Sequence, residues 1–118
     1  YAAGNKIDNI ISTIDFNGRQ IDGDVNDVLP LGNLEDKWTA FGWKTLSCNG
    51  NNISELIDTL NLAKSLTGKG FPIMIIMKTE MGAGVDYMMG SHKWHGVAPN
   101  DQQLEVALSQ LKETIGDY

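Results

Sequence analysis

The chain has 118 residues, 42% of them hydrophobic and 20% charged, with a formal net charge of −6. That length suits one globular domain able to bury a core and leaves no room for a second. Its nine basic residues are scattered, which argues against nucleic acid as a partner, because phosphate binding needs a basic footprint. No apolar run reaches the length of a membrane span; the longest, FPIMIIM at 71–77, has the length of a strand.

The opening YAAGNKIDN has neither an initiator methionine nor a secretory pattern. It reads as the last turn of a helix ended by the pair Gly4-Asn5, so the chain is expected to begin inside a longer protein. IISTIDF at 10–16 is β-branched and aromatic, the composition of a strand. Residues 17–32 carry Gly, Asp, Asn and Pro at short intervals and read as a loop. NLEDKWTAFG at 33–42 reads as a helix with Asn33 as N-cap, Glu35 and Asp36 in the first turn and Gly42 as the stop. Leu34, Trp38 and Phe41 share one face of it.

WKTLSCN at 43–49 is a second strand. It holds the lone cysteine, Cys48, which excludes an intramolecular disulfide, fits a reducing cytoplasm and reads as a buried, inert thiol. An amphipathic helix follows, capped by Asn52 and ended by Gly68 or Gly70, with Ile53, Leu56, Ile57, Leu60 and Ala63 as its apolar stripe. PIMIIMKT at 72–79 is apolar on consecutive residues, as a parallel strand covered on both faces should be. Residues 80–100 are irregular and glycine-rich. NDQQLEVALSQLKETIGD at 100–117 closes the chain as a helix with Leu104, Ala107, Leu108 and Leu111 facing inward.

Strands alternating with helices imply right-handed crossovers and a parallel sheet. Ligands then bind beyond the carboxyl ends of the strands. Two segments leave such ends and are longer than a connection requires, 17–32 and 80–98. In the first, DFNGRQIDG offers the side-chain oxygen of Asn17 and, past the turn at Gly18, the backbone carbonyl of Arg19. Two such oxygens suit Mg²⁺, although a plain turn has the same composition; Asp15 is assigned to holding the loop. The second contains both histidines, His92 and His95, beside Trp94. Two histidines three apart lack the further ligand a zinc site needs. A histidine flanked by glycine can approach a ligand closely and exchange protons near neutral pH. MGAG at 81–84 is a turn of the kind that directs amides at an anion. Hydrolase, phosphate-loop and Cys-x-x-Cys motifs are absent.

Four stretches, IDFNGRQIDG, KWTAFGWKTLSCNGNNISELIDTL, FPIMIIMKTEMGAGVDYMMGSHKWHG and the closing helix, together resemble transketolase. The resemblance lies in the second half of its N-terminal thiamine-diphosphate-binding domain and covers nearly the whole chain. It implies an α/β, three-layer, parallel-sheet fold present here as a partial domain, with 1–118 as the C-terminal part of that domain. It implies thiamine diphosphate with Mg²⁺ (or Ca²⁺) as cofactors, and transfer of a two-carbon ketol unit between sugar phosphates in the cytoplasm. Asn17 and Arg19 match metal-binding positions, the first through its side chain and the second through its carbonyl. Asn17, Ile21, Met81 and His95 match cofactor-binding positions, and His95 also matches the catalytic histidine; His92 has no counterpart. The Gly-Asp-Gly half of the cofactor motif is expected upstream of Tyr1, and the pyrimidine-binding domain downstream or on a split-subunit partner, within a homodimer or split assembly. The chain alone is therefore expected to bind cofactor weakly, to be inactive, and to expose an apolar face. A deoxyxylulose-phosphate-synthase-like enzyme and a receiver-like module with Asp15 as phospho-acceptor are the alternatives.

Overall fold

In the computed structural model, residues 1–112 are described. The central strand is built from the most apolar segment of the chain. Ile73, Met74, Ile75 and Ile76 are all buried, so this strand must be covered on both faces. We number the elements in chain order: strands β1 (Ile11–Phe16), β2 (Arg19–Gln20), β3 (Gly23–Asp24), β4 (Lys44–Asn49) and β5 (Ile73–Lys78), and helices α1 (Val25–Val28), α2 (Leu34–Ala40), α3 (Ile53–Leu66) and α4 (Asp101–Gln110). A 3₁₀ turn, His92–Trp94, lies between β5 and α4.

The main sheet has the order β1-β5-β4, and both pairings are parallel. Successive residues of β5 point to opposite faces. Ile73 and Ile75 pack with Cys48, Leu46, Leu56, Ala63 and Leu66, which places α3 on that face. Thr45, paired with Met74, belongs to the other face and meets α2 through a 3.0 Å hydrogen bond between the hydroxyls of Thr39 and Thr45. The result is the three-layer α/β arrangement expected from the sequence.

The capping residues act as expected. The Asn33 side chain accepts from the amides of Glu35 and Asp36, Asn52 accepts from Glu55, and Asn100 forms a reciprocal capping box with Gln103. Cys48 is buried. At the amino terminus the turn closes one residue later than expected. Lys6, with φ 52°, takes the left-handed position, while the Lys6 amide donates to Ala3 and the Ile7 amide to Ala2.

Three other expectations are corrected. Phe41 does not join the face of Leu34 and Trp38: it is the C-cap of α2, where the helical period has lapsed, and it is 72% exposed. In α3 the stripe divides, with Leu56 and Ala63 facing the sheet and Ile53, Ile57 and Leu60 exposed. In α4 only Ala107 is buried; Leu104, Leu108 and Leu111 are exposed. That helix ends at Gln110, where Leu111 turns extended; residues 113–117 of the expected helix lie outside the described residues. The exposed apolar faces agree with the sequence reading. The radius of gyration is 17.5 Å, against about 13.5 Å for a compact domain of this length. Among the described residues no helix is long and apolar enough to cross a membrane.

Gly50 sets how closely the turn after β4 can approach β5. A Cβ there would stand 2.5 Å from Thr79 Cγ2 and 2.9 Å from Met77 Cβ. Its amide donates to the Lys78 carbonyl at 2.8 Å. Gly50→Ala is expected to destabilise the fold by about 1–3 kcal/mol through this overlap, read as a lower urea midpoint with an unchanged m-value.

Candidate functional site

The two long connections leave neighbouring strands at the same end of the sheet. Phe16 pairs with Lys78 in the parallel register, so Asn17 follows β1 beside the point where Thr79 follows β5. Two hydrogen bonds join them. The Thr79 hydroxyl donates to the Asp15 carboxylate, and the Thr79 amide donates to the Phe16 carbonyl at 3.3 Å. Asp15 therefore holds the loop, as its sequence position suggests, and its partner lies 64 residues away.

The segment after β1 is more ordered than a loop. Asn17 Oδ1 accepts from the Arg19 amide at 2.9 Å, a side-chain-closed turn, and Gly18 adopts φ 70° within it. The Gly18 carbonyl accepts from the Val25 amide at 3.0 Å. Arg19 and Gln20 then pair antiparallel with Asp24 and Gly23, and an ion pair of 2.7 Å between Arg19 and Asp24 closes the hairpin on its exposed side. Ile21 stands at the tip, 73% exposed. Sequence reasoning missed this hairpin and α1 because strands of two residues show no alternation; the buried Val25 is the anchor that ties α1 back.

The segment after β5 folds back on itself. Glu80 receives a hydrogen bond at its carboxylate from the Gly90 amide at 2.7 Å, while its own amide donates to Asn51 Oδ1 at 2.6 Å. Within this closed loop Gly82, at φ 71°, has no room for a side chain, since a Cβ would lie 2.5 Å from Met88 Cβ. The MGAG turn is not a set of free amides, because the Ala83 amide donates to the Glu80 carbonyl. Closure at Gly90 returns the chain toward the end of β5, and the 3₁₀ turn begins two residues later.

The candidate residues fall on these two segments. Asn17 and Arg19 share one turn, and Ile21 projects from the hairpin that the turn begins. Met81 is half-buried at the root of the second loop, near Thr79. His95 closes the 3₁₀ turn, its amide donating to the His92 carbonyl at 3.0 Å, and its side chain is exposed. His92 is partly buried in the same turn. Among the described residues, no group of three or more His, Cys, Asp or Glu side chains is arranged to hold a metal ion. The oxygens available at Asn17 and Arg19 are neutral and come from one short turn. A second opening at the carboxyl ends of β4 and β5 is lined by Asn49, Asn51, Glu55, Lys78 and Glu80. Its amide and carboxylate groups are largely spent on the turns themselves, as with Glu55, which accepts from the Asn49 amide at 2.8 Å.

Comparison with known proteins places this geometry. Residues 1–116 match the family described as "Transketolase, thiamine diphosphate binding domain". One of the two subunits of an apulose-4-phosphate transketolase from Phocaeicola vulgatus is 39% identical over 115 residues, covering 96% of this chain and 40% of that protein. The 6-deoxy-6-sulfo-D-fructose transketolase subunit SqwG of a Clostridium species is 34% identical, covering 96% and 40% respectively. The crystal structure of transketolase from Campylobacter jejuni superposes with a TM-score of 0.82 at 33% identity, over 92% of this chain and 17% of that one. The chain thus spans about 40% of the length of these curated relatives.

Thr79→Val removes the donor that joins the two loops and is expected to cost about 0.5–1.5 kcal/mol. Hydrogen exchange at the amides of residues 17–24 should quicken more than exchange at α3 if the bond is what couples them.

Proposed function

Because the chain belongs to the transketolase family, within its thiamine diphosphate-binding domain, we propose that it is the later part of that domain in an enzyme transferring a two-carbon ketol unit between sugar phosphates. The observation that carries this reading is the junction of the two loops at the carboxyl end of a parallel sheet. It sets the oxygen-bearing turn of Asn17 beside the root of the Met81–His95 loop. Such an end is where α/β sheets take their ligands.

The residues fit part of a cofactor site. Asn17 Oδ1 uses one lone pair on the Arg19 amide and keeps another for a cation. The Arg19 carbonyl is the second donor. Two neutral oxygens do not compensate a divalent charge, so the remaining ligands are the cofactor's phosphates, water and a carboxylate supplied elsewhere in the complete protein. Ile21, apolar and exposed at the hairpin tip, offers a surface against the body of the cofactor. Met81 offers a second, more enclosed one. Bound there, thiamine diphosphate supplies the electron sink for breaking and forming the carbon–carbon bond. His95 is the side chain placed to hold or move a proton on the reacting oxygen, or to donate to the diphosphate.

The relatives named as transketolase subunits support a split enzyme in which a second polypeptide completes the site. The substrates are then sugar phosphates, and the cytoplasm is the site of action, consistent with a single buried thiol. On this reading the 118-residue chain alone binds Mg²⁺ and thiamine diphosphate weakly and does not turn over.

In the complete protein joined to its partner, His95→Ala is expected to lower kcat by about 10²–10⁴-fold with little change in thermal stability. Unchanged turnover removes His95 from the site. Asn17→Ala should weaken Mg²⁺-dependent cofactor binding about tenfold or more, the scale of a lost charge-assisted contact, measured by calorimetry. Micromolar, Mg²⁺-dependent binding by the 118-residue chain alone would show that no outside carboxylate is needed.

A further inference from the structure

His95 has little of its own to hold it. Its side chain is exposed, and the residue after it is Gly96 at φ 80°, so restraint from the downstream side is weak. The restraint comes from upstream. Ser91 caps the 3₁₀ turn by accepting from the Lys93 amide at 3.2 Å, and the His95 amide closes it on the His92 carbonyl. One turn of 3₁₀ helix is not stable alone. What fixes its place is Trp94. The indole Nε1–H donates to the Tyr87 carbonyl at 2.8 Å, and the Trp94 and Tyr87 rings pack with centroids 5.1 Å apart at 60°. Tyr87 is anchored in turn, its hydroxyl donating to the Gln103 carbonyl in α4 at 2.8 Å. The neighbouring Asp86 amide donates to Gln110 Oε1 of the same helix at 2.8 Å.

We propose that Trp94, seated on Tyr87 and through it on α4, is the positioning residue for His95. The proposal rests on the assignment of His95 to the cofactor site. The indole fixes the peptide from which the imidazole projects, one residue before it, and α4 serves as the rigid base that the sheet cannot provide at this distance. Simple ring packing does not require a tryptophan; the N–H donor does, because it makes the ring's orientation and the Tyr87 carbonyl interdependent. Trp94 touches neither substrate nor cofactor in this account and acts through the histidine.

The test uses the complete protein, joined to its partner and loaded with Mg²⁺–thiamine diphosphate. Trp94→Phe keeps an aromatic ring and deletes the donor; Tyr87→Phe keeps both rings and deletes only the bond to Gln103. Each is expected to lower kcat about tenfold, the scale of a small misplacement of a reacting group, with KM for the donor sugar unchanged within about twofold. Cofactor affinity by calorimetry should fall by about three- to tenfold. Trp94→Phe placed on the His95→Ala background should weaken cofactor binding no further, because the two residues act as one unit. Additive losses in that double variant, or wild-type kcat and affinity in both single variants, would overturn the proposal. If His95→Ala itself proves fully active, the reading of the site fails first and the proposal falls with it. If Trp94→Phe does not fold, Tyr87→Phe carries the same test.

Discussion

The parallel pairing of β5 on both sides is the constraint from which the rest follows. A strand hydrogen-bonded to two neighbours and covered on two faces leaves no position for a polar side chain until it emerges, and Ile73 to Ile76 are buried without exception. Lys78 is the first exposed residue. Because β1 lies in parallel register against this strand, its own end emerges at the same level, and the segments that follow are set side by side. Thr79 and Asp15 convert that adjacency into a bond. Each loop is built by its own residues, but their meeting is a property of the sheet.

Local signals in the sequence were sufficient for whatever depends on neighbours in the chain. Asn33, Asn52 and Asn100 cap the helices that follow them, and the consecutive apolar residues of β5 announce a doubly covered strand. The turn at Asn17 and Gly18 was equally legible, because a side chain closing on an amide two residues away is local chemistry. The hairpin of β2 and β3 was not, since two-residue strands carry no period, and their pairing depends on Val25 finding the core. Nor was the role of Tyr87 and Trp94 legible. Their bonds reach Gln103 and each other through a segment whose composition, rich in glycine and methionine, reads as irregular. Phe41 and the outer residues of α3 and α4 were misjudged for a related reason: amphipathic period shows which face of a helix is apolar, not whether the sheet is wide enough to receive it.

The width of the sheet explains how the His95 loop must be supported. Three strands about 4.8 Å apart span about 10 Å between their outer axes, close to the diameter of one helix. With α3 on one face and α2 on the other, no sheet surface remains for α4, which is why only Ala107 of that helix is buried. The chain between β5 and α4 therefore cannot lie on the sheet and must be ordered from within. Glu80 draws Gly90 back to the root of the loop, the Asn51 side chain holds the Glu80 amide, and the indole of Trp94 holds the carbonyl of Tyr87. Backbone groups that the sheet cannot pair are thereby satisfied by side chains of the loop and of its immediate neighbours. A segment stiffened in this way keeps its shape while standing off the strand ends, and the crevice between it and the Asn17 turn stays open to a ligand.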